Sequence, residues 1–339
     1  MAASRRQQPP SSCVSRVPSH MPEVSVVMSV YNGEAALPST LSSLLQQTGC
    51  DFEIIAINDG STDQSGQVLD AWAAENPRLR VFHQPNQGLT RALIRGCNEA
   101  SGEFIARQDV GDASRPGRLA AQARLLRSDP SLVFAGCRYA LVGPGNEPLT
   151  DGEPPQGATT DSGLRNQDGS AVASPHHGTA MFRKSAYAAA GGYRPEFYYA
   201  QDVDLWSRLI DQGDFGQVPE VLYQVKFDLD SITASHRAEQ QSLRALVAHA
   251  RALRSQGRSD APVLAQAQRI RPGGSSPVPP APRRDSRPAA NYFVGSCLAS
   301  RGDPRAKSYL TQTVRAKPLH IKAWFKLAKL ALSPSKRAL

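Results

Sequence analysis

Short runs of β-branched and apolar residues alternate with amphipathic stretches along the N-terminal part of the chain. After the run VSVVMSV, for example, Leu37, Leu41 and Leu44 recur at the spacing of one helix face. The pattern predicts strands at 24–30, 53–58, 79–83 and 103–108, and helices at 35–47, 64–75 and 88–100. Strands that alternate with helices form a mostly parallel sheet with crossover helices, so the sequence predicts an α/β fold of the Rossmann-like, nucleotide-binding type. Ligands of such sheets bind beyond the carboxyl ends of the strands.

The C-terminal third has a different pattern. The stretch RPGGSSPVPPAPRRDSRP is too rich in proline and arginine to bury surface and predicts a semi-extended linker. Three short helices are predicted after it, at 292–301, 304–316 and 320–332, and their sequence resembles a tetratricopeptide helix pair. The predicted organisation is a disordered leader over 1–22, an α/β domain over 23–236, a basic helix over 237–257, a linker over 258–289 and a small α-helical module over 290–333.

Charge is distributed unevenly along the chain. The net charge of +9 combines −7 before residue 237 with +16 after it, where 20 Lys and Arg face only 4 Asp and Glu. A segment this basic suits an anionic membrane surface or stays a solvated tail, and nucleic acid is not the expected partner. The 5 cysteines are scattered without a C-x-x-C pair, which favours reduced thiols and a cytoplasmic location. No apolar run approaches the length of a membrane-spanning helix, so an integral membrane protein is excluded.

Polar residues stand at the predicted exits of three strands. The first strand ends in Val30, Tyr31 and Asn32, and the second ends in Asp59, whose carboxylate can accept a hydrogen bond from the imide N–H of a uracil ring. The fourth strand is followed by a second pair of acids, Asp109 and Asp112. Carboxylate oxygens are hard ligands that hold Mg²⁺ or Mn²⁺ beside a diphosphate, and we predict this role for the pair.

A predicted helix begins within YAQDVDLWSRL and carries two acids in its first turn. Either acid could stabilise the helix start by facing its positive end. We assign that role to Asp204 and predict that Asp202 projects into the cleft as a base. His177, farther up the chain, is equally well explained as a wall residue or as a ligand, because a single histidine carries little information.

Several segments, in this order, resemble an inverting family-2 glycosyltransferase of the GT-A fold over residues 23–236. They are VSVVMSVYNGE, INDGSTDQS, NQGLTRALIRGCNEASGEFIARQD, HGTAMFRKSAY, AGGYRPEF, YAQDVDLWSRL and DSIT. The resemblance implies transfer of a sugar from a nucleotide diphosphate, most often UDP, to the hydroxyl of a carbohydrate or lipid-linked acceptor. Cell-surface polysaccharide or glycolipid synthesis is the expected setting, at the inner face of a membrane.

The resemblance also implies roles for single residues. Asp59 falls where the family reads the nucleobase, Asp109 and Asp112 lie in the motif that meets ribose and metal, and Asp202 occupies the base position. The remaining substrate contacts are expected from Val30, Tyr31, Asn32, Arg91, His177 and Gln201.

The sequence also departs from the family pattern. Gly111 and Gln201 replace usual acids, and Asp228 replaces a usual histidine. Two alternatives therefore stay open, a sugar-nucleotide-binding protein that has lost catalysis and a scaffold whose basic tail does the work.

Overall fold

The computed structural model describes residues 21–150, 164–172, 174–227, 236–271 and 287–332. The predicted leader up to residue 20 and Asp228 lie outside these ranges. The chain folds around one eight-stranded sheet with helices on both faces.

The first half of the sheet is parallel, and every predicted strand and helix in it is present. The strands are β1 (Val24–Val30), β2 (Phe52–Asp59), β3 (Leu79–Gln84) and β4 (Phe104–Asp109), and the helices that connect them are α1 (Leu37–Leu45), α2 (Ser65–Glu75) and α3 (Leu89–Glu99). The mostly parallel α/β fold predicted from the sequence is confirmed. Val30 pairs with Asn58, and Ser29 pairs with Asp109, so the ends of β1, β2 and β4 meet at one edge of the sheet.

The second half of the sheet mixes strand directions. Its strands are β5 (Ala113–Ser114), β6 (Leu132–Val142), β9 (Met181–Arg183) and β10 (Asp214–Lys226). The helices of this region are α4 (Arg118–Ser128), α5 (Lys184–Ala189) and α6 (Gln201–Leu209). A small hairpin of β7 (Leu164–Arg165) and β8 (Ala171–Val172) forms a separate sheet. The strand order across the sheet is β3-β2-β1-β4-β9-β6-β10-β5. Strand β9 is antiparallel to both β4 and β6. It therefore brings the residues just before it, 176–180, to the carboxyl edge of β4.

The sheet is central because its inner strands β1, β2 and β4 are almost fully buried and largely apolar. In β1, Val27 packs into the apolar core on one face, whereas Val26 and Met28 pack into the core on the other. Residues buried on both sides of a strand are typical of a parallel sheet covered by helices. The rigid sheet fixes the strand ends that carry the polar residues.

Two further helices extend the domain beyond its predicted end. Helix α7 (Arg237–Ser255) is followed by α8 (Ala261–Ala267). The prediction of a linker from residue 258 is wrong at its start, because Val263, Ala267 and Ile270 are buried against the domain. These few buried apolar residues were not recognised in the sequence because the stretch that follows them is rich in Pro and Arg.

The C-terminal module consists of three helices, as its sequence predicts. They are α9 (Arg287–Ser300), α10 (Ala306–Ala316) and α11 (Ile321–Leu332). Helices α9 and α10 approach closely at Gly295, where a β-carbon would lie 2.8 Å from Leu310 Cγ. The module contacts the α/β domain, since the rings of Phe293 and Phe227 lie 5.0 Å apart and the Tyr309 hydroxyl donates to Glu147 Oε1 at 2.8 Å.

Within the described residues, no helix combines the length and the apolar character needed to cross a bilayer.

Candidate active site

A large cleft opens at the carboxyl edge of the sheet, between the strand ends and helices α6 and α7. Its volume is about 1320 Å³. The predicted site residues that line it are Tyr31, Asp59, Asp109, His177, Gln201 and Asp202. The strand exits and the start of α6, which the sequence treats separately, therefore share one cavity.

Three predicted substrate contacts do not line this cleft. Val30 is fully buried in β1, and Arg91 lies exposed on α3. Asn32 joins two loops, because its backbone N–H donates to Ser61 Oγ at 3.1 Å and its side-chain oxygen accepts from the Thr62 N–H at 2.8 Å. Val30 and Asn32 lie at the strand ends, and a direct contact with substrate stays a prediction for all three positions.

Asp59 holds the loop that follows β3. Its carboxylate accepts hydrogen bonds from Gln84 Nε2 at 2.7 Å, from the Gln87 N–H at 2.9 Å and from the Gly88 N–H at 2.8 Å. A carboxylate offers about four lone-pair sites, so one further donor, such as the imide of a nucleobase, fits beside these three. Asp59 lines the cleft, so a contact with the nucleobase is compatible with its position, and this contact stays a prediction.

Asp109 is paired with a buried arginine beneath the cleft. Arg107 Nη2 donates to Asp109 Oδ1 at 2.6 Å, and Arg107 Nη1 donates to the Val27 carbonyl at 2.6 Å. Desolvation alone would raise the pKa of Asp109, but the charge of Arg107 and its hydrogen bond to the carboxylate outweigh desolvation and lower that pKa below its usual range. Asp109 is therefore ionised at neutral pH.

Asp112, Asp109 and His176 form a cluster that could hold a divalent cation. Each offers one ligand atom, and these atoms lie within 4.8 Å of one another. Burial and the negative charge of Asp109 raise the pKa of Asp112 to about 8, while burial lowers the pKa of His176 and keeps its imidazole neutral. A cation would stabilise the ionised form of Asp112, because like charges packed this closely repel each other without one. The residues present thus fit the cation that the family resemblance implies.

Gly111 sits between the two acids of this cluster in a left-handed conformation with φ of 96°. Its N–H donates to Thr40 Oγ1 at 3.0 Å, and Thr40 Oγ1 in turn donates to the Asp112 carbonyl at 2.9 Å. An aspartate here would carry a backbone cost that glycine avoids. The local backbone conformation therefore favours glycine at this position. His176, from another segment of the chain, offers the third ligand atom of the cluster.

Helix α6 divides its two acids between different surroundings. Asp204 is fully buried, and Arg208 Nη2 and Arg194 Nε donate to it at 2.6 and 3.0 Å. Asp202 is partly exposed and lines the cleft, and no hydrogen bond or ion pair of its carboxylate is found among the described residues. Gln201 beside it is buried, and its Oε1 atom has no hydrogen-bond partner within the described part of the chain. The Asp202 carboxylate and the buried side chain of Gln201 therefore belong to the same wall of the cavity.

His177 contributes to the cleft wall and supports Arg107. Its Nε2 atom lies 3.2 Å from the donor Arg107 Nε and 2.8 Å from the Tyr193 hydroxyl. Burial and the charge of Arg107 lower the pKa of His177 to about 4, so the ring is neutral. Its ring nitrogen is already engaged, which favours the wall-residue interpretation over a ligand role.

Several residues of the site are not singled out by the sequence. His176 stands directly before the predicted His177, and Arg107 lies two residues before Asp109. Their position next to predicted site residues was the sequence feature that could have indicated them. Tyr223 gives no local signal, although its hydroxyl accepts the Asp109 N–H at 3.1 Å and its ring packs under the guanidinium of Arg118 at 4.8 Å.

Comparison with known proteins identifies the family. Residues 25–190 match the model described as Glycosyl transferase family 2. EpsE of Bacillus subtilis (strain 168), which is named as a glycosyltransferase, is 33% identical over 216 residues that cover 62% of this chain and 75% of EpsE. The amylovoran biosynthesis glycosyltransferase AmsE of Erwinia amylovora is 30% identical over 218 residues, covering 61% of this chain and 77% of AmsE.

Solved structures share the fold. The mannosyltransferase PcManGT from Pyrobaculum calidifontis, in complex with GDP-Man and Mn²⁺, aligns with a TM-score of 0.54 at 17% identity over 94% of this chain and 87% of its own. S. aureus TarS 1-349 in complex with UDP aligns with a TM-score of 0.51 at 17% identity over 91% and 88%. Identities this low show the fold alone.

The sheet and its acid-lined cleft define a glycosyltransferase of the GT-A type. The chain belongs to glycosyl transferase family 2.

Proposed function

We propose that this glycosyltransferase moves a sugar from a nucleotide diphosphate donor, a UDP-sugar, to the hydroxyl of an acceptor with inversion at the anomeric carbon. The observation that carries the proposal is that Asp202, a carboxylate with no protein partner among the described residues, shares one cleft with Asp109 and His176 of the cation cluster. A base and a site for a diphosphate are the two groups that a single in-line displacement needs.

The reaction balances without a covalent intermediate. The acceptor oxygen forms a bond to the anomeric carbon while the bond from that carbon to the diphosphate oxygen breaks, and UDP leaves with the electron pair. Asp202 takes the proton of the acceptor hydroxyl, and we assign Gln201, which lines the same wall, to a contact with substrate.

The donor side of the cleft carries the groups for a nucleotide. Asp59 and the exposed ring of Tyr31 lie on this side, and we assign them to the nucleobase. Asp109, Asp112 and His176 would hold the cation, and Mn²⁺ fits this mixed set of oxygen and nitrogen ligands better than Mg²⁺, which prefers oxygen. A bound cation would neutralise charge on the leaving diphosphate.

Polysaccharide synthesis is the proposed setting. The relative AmsE, which is named for amylovoran biosynthesis, supports this setting.

The donor and the cation can be tested together by thermal-shift and calorimetric titration with UDP-, GDP- and dTDP-sugars, each with Mn²⁺ or EDTA. We expect UDP-sugars with Mn²⁺ to stabilise the protein most and to release UDP. In His176→Ala, Mn²⁺-dependent UDP binding should weaken about tenfold or more, a loss of roughly 1.4 kcal/mol, because one ligand is removed. His249→Ala, an exposed histidine on α7 outside the cleft, is the matched control.

The same titration separates the second candidate function. The presence of Gly111 in place of a usual acid is the observation that favours this second candidate, a protein that binds sugar nucleotides without turnover. UDP binding with no UDP release from any donor would support that candidate, whereas binding that is insensitive to both EDTA and His176→Ala would contradict the cation site.

We also propose that the C-terminal module meets an anionic membrane surface through α11. Ile321, Phe325 and Leu332 form an apolar stripe on this helix and are 80%, 71% and 84% exposed. The same helix carries lysines and no acid. An amphipathic helix whose exposed apolar stripe lies beside a row of lysines is suited to the headgroup region of a bilayer.

Co-sedimentation with vesicles tests this surface. The full-length protein should bind vesicles of phosphatidylcholine with phosphatidylglycerol, and this binding should fall with salt. The variant Ile321→Ser/Phe325→Ser should lose at least about tenfold in affinity, since each buried apolar side chain contributes about 1.5–3 kcal/mol. Equal binding by both proteins, or none by the wild type at low salt, would assign the stripe to a protein partner instead.

A further inference from the structure

One face of helix α7 forms a wall of the catalytic cleft. Gln240, Arg244, Val247, Ala248, Arg251 and Ser255 all line the cavity. Their spacing of three or four residues places them on a single side of the helix. The wall belongs to the part of the chain beyond the region matched by the family model, which ends at residue 190.

The position of this wall is fixed relative to Asp202. Leu243 and Val247 pack with Ala200, at the start of α6, in one apolar cluster. Farther along α7, the Arg254 guanidinium donates to Ser207 Oγ at 3.2 Å and to Asp260 Oδ2 at 3.3 Å. Helix α7 is thus held on the helix that carries the proposed base.

Charge is segregated across the cleft. The strand exits and α6 contribute the acids Asp59, Asp109 and Asp202, whereas the described lining residues of α7 include two arginines and no acid. Arg244 and Arg251 are two helical turns apart, about 10 Å along the axis. An anionic group in the cleft would be repelled by the acidic walls and attracted to α7.

We propose that Arg244, with Arg251, binds a phosphate group of the acceptor, while the acceptor hydroxyl faces Asp202. This inference rests on the proposed function and names the chemical class of its acceptor, a phosphate-bearing glycan or a lipid phosphate. Guanidinium groups form charge-assisted hydrogen bonds to phosphate oxygens, often two at once. The proposed cation cluster provides a separate site for the donor phosphates, so we assign Arg244 to the second substrate.

The test measures phosphate binding with the donor site filled. Wild type, Arg244→Gln and Arg258→Gln, each saturated with UDP and Mn²⁺, are titrated with glucose 6-phosphate, with methyl glucoside and with phosphatidylcholine vesicles with or without phosphatidic acid. Arg258 is an exposed arginine just beyond α7 and outside the cleft, so it controls for the loss of one charge. We expect Arg244→Gln to weaken binding of a phosphate probe about tenfold, the effect of losing one hydrogen bond to a charged group, with Arg258→Gln and UDP affinity unchanged.

The two phosphate probes distinguish the source of the group. An effect of Arg244→Gln on glucose 6-phosphate assigns a soluble or glycan phosphate, and an effect confined to phosphatidic acid vesicles assigns a lipid phosphate. The proposal is overturned if wild type binds neither phosphate probe better than its neutral counterpart, or if Arg244→Gln leaves phosphate binding unchanged. It is also overturned if Arg244→Gln weakens UDP binding, which would place Arg244 in the donor site. If the proposed function itself is wrong, the wild-type protein will bind no UDP at all, which is a different result from those above.

Discussion

Replacement of Asp202 with asparagine is expected to lower the turnover number for sugar transfer by roughly 10²- to 10⁴-fold. The amide has nearly the size of the carboxylate and keeps the start of α6 intact, but it cannot accept the proton of the acceptor hydroxyl. The measurement is the rate of product formation at saturating donor and acceptor, followed by coupled detection of released UDP.

Two controls accompany this variant. UDP affinity and the free energy of unfolding should stay close to wild type, because no hydrogen bond or ion pair of the Asp202 carboxylate is found within the described residues. A variant that keeps most of its turnover would remove Asp202 as the base. Asp204 could not then replace it, since that side chain is fully buried between two arginines.

Strands β1, β2 and β4 could be predicted because both of their faces are almost fully buried. The run Val24–Val30 carries apolar residues on both faces, with two small serines as its polar residues, and is typical of a strand inside a covered sheet. The predicted and observed ends of these strands differ by at most one residue. Parallel pairing then brings their carboxyl ends together, which is why Asp59 and Asp109 could be predicted as neighbours at one cleft.

The contribution of His176 could not be predicted in the same way. It depends on β9, a three-residue strand inserted antiparallel between β4 and β6. The Arg107 N–H donates to the Ala180 carbonyl at 2.8 Å, which holds the segment before β9 against β4. Three residues are too few for a period to be visible in the sequence, and the contact joins segments about 70 residues apart.

The wall formed by α7 was missed for a related reason. Its arginines contribute to a basic block that the sequence explains equally well as a solvated tail or a membrane-facing segment. Only the packing of Leu243 and Val247 on the start of α6 turns two of these arginines toward the cleft. Net charge thus indicated an anionic partner without indicating where it would bind.

Asp204, two residues after the proposed base, should behave in the opposite way when it is changed. Its carboxylate is fully buried and accepts hydrogen bonds from Arg194 and Arg208, and Arg194 also pairs with Asp260 at 2.7 Å. Asp204→Asn keeps the shape of the side chain but removes the negative charge that both arginines face. Breaking a buried ion pair on one side costs about 3–5 kcal/mol, because the remaining charges lose their compensation.

We therefore expect Asp204→Asn to lower the free energy of unfolding in urea by about 3–5 kcal/mol and the Tm by about 10 °C. Asp202→Asn, which makes the same chemical change on the same helix, is the matched control and should leave both values near wild type. Comparable stability losses in the two variants would mean that Asp202 also serves the helix start and that its assignment as a dedicated base is wrong. A loss below about 1 kcal/mol in Asp204→Asn would contradict the buried network itself, since a typical neutral hydrogen bond alone contributes that much.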